Sequence, residues 1–213
     1  MDRREFTLRT GLAAAGLALS PLAGAQGAGP VEGRDFVRLG QPIPMPAGSK
    51  IEVVEFFGYW CPHCNSFEPA LEAWVKTLPA DVAFRRVPVA FSAAHEPYQR
   101  MFYALEAMGQ LDAVHRKIFA AIHVGKQRLD KESDILAFVT ANGVDGAKFT
   151  DAFKSFGVQT KLRQARQLSD AYKIDGVPTL GVHGRFFTSP SLTGSHERAL
   201  AVANVLIQRA RTA

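Results

Sequence analysis

Cysteine is scarce in this chain of 213 residues, which has only Cys61 and Cys64. A structural zinc site needs four ligands, usually from two short-spaced pairs. His95, His115, His123, His183 and His196 supply no second pair at the spacing of roughly three to five residues that such sites use. Haem attachment needs histidine directly after the second cysteine, where Asn65 stands. A purely structural bridge between Cys61 and Cys64 would close a loop too short to restrain the unfolded chain much. Long apolar runs are also missing after the N-terminal segment, so no membrane span is expected. Charge of one sign never accumulates: the formal net charge is +5, but the basic residues are scattered, the pattern of a solvated surface with no nucleic-acid partner. Repeats and low-complexity tracts are absent beyond residue 25. With 47% hydrophobic residues, the chain is able to bury a sizeable core, as one domain or as one domain carrying a substantial insertion.

What is present centres on Phe56-Phe57-Gly58-Tyr59-Trp60-Cys61-Pro62-His63-Cys64. An apolar strand runs straight into a helix there, which puts Cys61 at the helix N-terminus, where unpaired backbone N–H groups favour a thiolate. Cys64 falls one turn later on the same face, within reach of a mixed disulfide formed by Cys61. Redox exchange is therefore the expected chemistry, with Cys61 attacking and Cys64 resolving. His63 is an exposed turn residue or, by its place between the thiols, a stabiliser of the Cys61 thiolate, which would make the disulfide a better oxidant. Pro62 pre-sets φ for the first helical turn. Glu55 is the odd residue of an otherwise apolar strand. It is either a strand-end side chain reaching solvent or a buried acid that needs a partner or a raised pKa. Tyr59 and Trp60 are open to two readings, as exposed anchors beside the thiols or as core residues ending the strand.

Residues 1–25 have the form of an export signal: a charged start, a short Gly/Ala/Leu-rich stretch from Gly11 to Leu22, and Ala23-Gly24-Ala25 as a cleavage site. Arg3-Arg4-Glu5-Phe6 resembles a twin-arginine signal, and either export route leads to an oxidising compartment. After a loose leader, strands are expected over 35–39, 51–57, 82–89, 180–183 and 185–188. Helices are expected over 62–78 with a kink at Pro69, then 98–108, 111–122, 132–141 ending at Asn142-Gly143, 147–156 ending at Gly157, 161–172 and 196–211. The order is β-β-α-β, a helical block, then α-β-β-α.

Val54-Glu55-Phe56-Phe57, Cys61-Pro62-His63-Cys64, the helical block and Gly176-Val177-Pro178-Thr179 together resemble the DsbA family, over essentially the whole chain after the signal. The resemblance implies an α/β thioredoxin fold with an inserted helical domain: 26–93 and 161–213 as the two parts of the thioredoxin-like domain, 94–160 as the insertion. It implies a periplasmic thiol:disulfide oxidoreductase that donates its disulfide to reduced cysteines of newly exported proteins, needs no cofactor or metal, and acts as a monomer. A DsbB-type membrane quinone reductase would reoxidise it. Glu55 corresponds to a buried acid that relays a proton to or from Cys64, with Arg86 where the family commonly has Lys; Arg holds charge but does not give up a proton. Val177-Pro178 corresponds to a cis-proline loop whose backbone pairs with an extended substrate. The alternatives are a disulfide isomerase or reductase, and a non-enzymatic thiol metallochaperone or peptide-binding chaperone. Isomerases of this fold usually carry an N-terminal dimerisation domain, and only a short segment is expected here between the signal and the first strand.

Overall fold

The computed structural model describes residues 29–212, so the export segment expected over 1–25 lies outside them. Strand β2 (Ile51–Phe57) has every residue but Glu52 buried, as its continuous apolar run predicts for a central strand. It pairs in parallel with β3 (Val82–Pro88) and antiparallel with β4 (Thr179–Val182). Beyond β4 come β5 (Phe186–Thr188) and β1 (Val37–Arg38), giving the order β1-β5-β4-β2-β3.

The edge strand is shorter than the 35–39 expected. Asp35 leaves the extended run because its carboxylate accepts the Val31 N–H at 2.9 Å and its own N–H bonds the Val31 carbonyl at 2.8 Å, closing a turn. The same carboxylate pairs with Arg198 at 2.8 Å, tying this turn to the C-terminal helix.

Strand alternation sends Val53, Glu55 and Phe57 to one face of β2, and Val54 and Phe56 to the other. Helices α1 (Pro62–Val75) and α8 (His196–Arg211) cover the first face with Phe67, Leu71, Leu206 and Ile207. Between β3 and β4 come a short 3-10 turn (Ala93–His95), α2 (Glu96–Ala107), α3 (Leu111–His123), α4 (Glu132–Ala141), α5 (Gly146–Lys154) and α6 (Phe156–Ala171). Tyr172, just past α6, lays its ring against Phe56 at 5.1 Å. It lies so close to β4 that a Cβ on Gly181 would meet the ring at 2.6 Å, so no larger residue fits there without displacing it.

Helix α4 stops at Asn142-Gly143 as expected, with Gly143 at φ +87°. The expected stop at Gly157 is wrong. Helix α5 already ends at Lys154, and Ser155, extended at φ −65° and ψ 152°, caps the next helix by accepting the Val158 N–H. Gly157 thus sits in the first turn of α6, which begins well before Lys161 and runs unbroken from the helical block towards the sheet. Pro69 lies inside α1, which runs as one helix from Pro62 to Val75. A short helix not foreseen, α7 (Pro190–Thr193), is opened by the Ser189 cap and Pro190 in its first turn.

Candidate active site

The end of β2 and the start of α1 build the site. Cys61 is the N-cap of α1, extended at φ −87° and ψ 119°, and Pro62 takes the first helical position. The approach is tight: the Trp60 indole folds back over Gly58, where a Cβ would lie 2.5 Å from its Nε1. Both cysteines are free thiols, Cys61 buried to within 4% and Cys64 completely. The Cys61 thiol lies 3.4 Å from the Val177 carbonyl, which brings the Val177-Pro178 loop against the N-terminus of α1 across 116 residues of sequence. The Val177–Pro178 peptide is cis.

The two thiols are electrostatically unlike. The Cys64 side chain donates to Cys61, and together with the backbone N–H groups of Cys64 and His63 and the charge of His63 it outweighs partial burial, bringing the Cys61 pKa down to about 6. Burial pushes Cys64 far the other way, helped by its bond to Cys61 and by the charge of Glu55. The opposite shifts make Cys61 the thiolate of the pair at neutral pH and keep Cys64 a thiol. His63 is exposed, so solvent weakens its influence relative to the direct Cys64 bond.

Glu55 does not reach solvent; it is fully buried. The β2–β3 register places Arg86 directly opposite it, and Arg86 Nε stands 3.1 Å from Glu55 Oε2. Burial first, then the charge of Glu68, push Glu55 up to a pKa of about 8 against the pull of Arg86. Glu68 and His115 are the functional candidates that sequence reasoning misses. Arg86 Nη2 donates to Glu68 Oε1, and His115 Nε2 lies 3.3 Å from the same oxygen. Tyr59 bonds His115 Nδ1 through its hydroxyl at 2.7 Å. A signal was available. Glu68 follows Cys64 by one helical turn, among Phe67 and Leu71 on the buried face of α1, and His115 falls in the apolar stripe of Val114, Ile118 and Phe119 on α3.

The structure separates the two aromatic residues whose roles were open. Tyr59 is core, whereas Trp60 is half-buried, stacks on His95 with centroids 3.9 Å apart, and meets the exposed Phe91 edge-on at 5.9 Å. Among the described residues no group of three or more His, Cys, Asp or Glu side chains is placed to hold a metal ion, and no helix is long and apolar enough to cross a membrane.

A thioredoxin-type sheet with a low-pKa thiol at a helix N-terminus and a buried thiol one turn on defines a dithiol–disulfide oxidoreductase. Comparison with known proteins narrows the class. A model of the DSBA-like thioredoxin domain matches residues 80–198 and a thioredoxin model matches 45–99. The chain is 43% identical over 205 residues to the thiol:disulfide interchange protein DsbA of Bordetella parapertussis, covering 94% of this chain and 95% of that one. It is likewise 43% identical to DsbA of Burkholderia cepacia over 204 residues, with 95% of each covered. The crystal structure of Pseudomonas aeruginosa DsbA superposes with a TM-score of 0.80 at 38% identity, covering 84% of this chain and 94% of that chain. The chain belongs to the DsbA family of thiol:disulfide oxidoreductases.

Proposed function

We propose that this enzyme works as a disulfide donor in the periplasm, oxidising newly exported proteins and being reoxidised by a DsbB-type membrane quinone reductase. Residues 26–93 and 161–213 are read as the two parts of the thioredoxin-like domain and 94–160 as the insertion, with α6 serving both; the protein acts as a monomer after removal of residues 1–25. The observation that carries this reading is the asymmetry of the thiols. A substrate thiolate attacks Cys61 of the disulfide, the Cys61–Cys64 bond breaks, and Cys64 leaves as a thiolate that takes the Glu55 proton. A second substrate thiolate then attacks the substrate sulfur of the mixed disulfide and expels Cys61, a good leaving group because its pKa is low. Two electrons pass from the substrate dithiol to the enzyme. Val177 and Pro178 border the substrate groove, and main-chain pairing at Val177 suits unfolded substrates of any sequence.

Glutathione equilibrium tests this. The protein should be reduced at glutathione ratios that leave ordinary structural disulfides intact, and thiolate absorbance should titrate near pH 6. His63→Ala should raise that midpoint less than Cys64→Ala, because the latter removes the direct donor. The folded pKa is depressed, so the thiolate stabilises the reduced protein fully above the unfolded cysteine value of about 8.5 and loses that effect as pH falls through about 6. Cys61→Ser, which keeps the titration of Glu55, is the reference. An ordinary cysteine midpoint would sink the donor reading.

Glu55→Gln should slow the proton-dependent exchange at Cys64 by about 10-fold or more while leaving the Cys61 thiolate titration in place. Stopped-flow measurement of mixed-disulfide formation and resolution checks it; unchanged rates would reduce Glu55 to a structural residue.

A further inference from the structure

Two buried carboxyl groups, Glu55 and Glu68, compete for a single guanidinium. Arg86 reaches Glu55 through Nε at 3.1 Å and Glu68 through Nη2. One positive charge does not hold two buried negative ones, so one carboxyl must stay protonated. Arg86 touches both, so the choice between them falls to their other neighbours. Glu68 has a second neighbour in His115 Nε2, which lies 3.3 Å from Oε1 without being aligned as a full hydrogen bond. Apart from Arg86, the titratable groups that interact with Glu55 are Glu68, the Cys64 thiol and the Tyr59 hydroxyl, none of which favours a negative charge there.

The state of His115 follows from its other nitrogen. The Tyr59 hydroxyl lies 2.7 Å from Nδ1, and Tyr59 is fully buried. With the phenol donating, Nδ1 accepts, and the single imidazole proton sits on Nε2, facing Glu68. Charging His115 would turn Nδ1 into a donor and force the buried hydroxyl to give up its acceptor, which is costly. The rings of Phe57 and Phe119 close round the imidazole at 5.7 Å and 5.3 Å. Its neighbour Arg116 is turned outward to Glu72, 3.5 Å away, and does not enter the cluster.

We propose that His115, oriented by Tyr59, is the positioning residue that selects which buried carboxyl carries the proton: its Nε2–H holds Glu68 ionised and leaves the proton on Glu55, beside Cys64. The cluster then contains neutral His115, Glu68 as carboxylate, Arg86 as cation and Glu55 as acid, with no net charge. When Cys64 leaves as a thiolate, the proton passes from the Glu55 carboxyl to the Cys64 sulfur, and Glu55 then takes up a proton from water, because Arg86 does not hold two carboxylates. This inference rests on the proton role given to Glu55 above, and extends it to an arm, through α3, that lies outside the cysteine motif.

The test separates the two ideas. Glutamate carboxyl groups labelled with carbon-13 are titrated by NMR in the reduced full chain, with Glu55→Gln and Glu68→Gln supplying the assignments. In His115→Leu the Glu55 midpoint should fall by about one pH unit or more while that of Glu68 rises, and His115→Gln, which restores an N–H donor, should return both towards wild type. The pH profile of mixed-disulfide resolution should move acidward with Glu55. If His115→Leu does not fold, Tyr59→Phe keeps the ring and frees Nδ1 to take a proton, which should also lower the Glu55 midpoint. Unchanged Glu55 titration in the folded variant overturns the proposal whatever the kinetics. A moved titration with wild-type kinetics upholds the selection by His115 and defeats the proton role of Glu55 instead.

Discussion

Cys61→Ser is expected to abolish disulfide donation, whereas Cys64→Ser should accumulate stable mixed disulfides through Cys61. The reason lies in access and ionisation together. Cys61 caps α1 beside the Val177 carbonyl and is a thiolate at neutral pH, while Cys64, one turn into the helix, is wholly buried and held as a thiol. An incoming sulfur meets Cys61 first, and without Cys64 nothing within the enzyme resolves the adduct. Incubating each variant with a two-cysteine peptide in its disulfide form, which the remaining enzyme thiolate opens to a mixed disulfide and a free peptide thiol, then non-reducing mass spectrometry and peptide mapping, reads the result. Adducts mapped to Cys64 in the Cys61→Ser variant, at the yield of the converse trap, would reverse the roles.

Phe57→Ala should cost about 3–5 kcal/mol of stability, the usual range for deleting a buried aromatic side chain. Phe57 ends β2 and is fully buried, with ring centroids 5.1 Å from Tyr59, 5.5 Å from Phe102 and 6.1 Å from Phe119. It is the point where the sheet, α2 and α3 meet, so the hole left behind has walls on three elements that do not close it by moving one of them. Urea unfolding of wild type and variant in the same redox state measures the loss, and a change below about 1 kcal/mol would mean that the site collapses around the missing ring. The same variant also strips one wall from His115, so its carboxyl titrations should broaden even where it remains folded.

How far the sequence led depends on the range of each interaction. The strand entering Cys61, the helix after it and the stop at Asn142-Gly143 are set by local chemistry: an unbroken apolar run, a proline in the first turn, a glycine able to take positive φ. These were legible. The end of α5 was not, because the rule that glycine ends helices competed with a serine cap two residues earlier, and the cap won. Glu55 was visible as a charge out of place, and its partner Arg86 was reached through family likeness; the parallel register of β2 and β3 supplies the physical reason. Glu68 and His115 were visible only as polar residues on the buried faces of their helices, which does not tell what each one meets. Their meaning comes from α1 and α3 crossing the end of β2, a tertiary fact that no single-helix pattern encodes.

The indole of Trp60 lies flat on His95, one residue ahead of the reactive sulfur, while the other tryptophan, Trp74, is fastened to Asn204 at 2.9 Å near the far end of α1. The molecule therefore carries two fluorophores in separate settings. An imidazole stacked on an indole quenches it to a degree that depends on ring charge and overlap, and whatever approaches Cys61 alters both. Emission from Trp60 becomes a built-in optical gauge of events at the thiols, and Trp74 serves as its steady reference, so turnover is open to observation in the unlabelled protein.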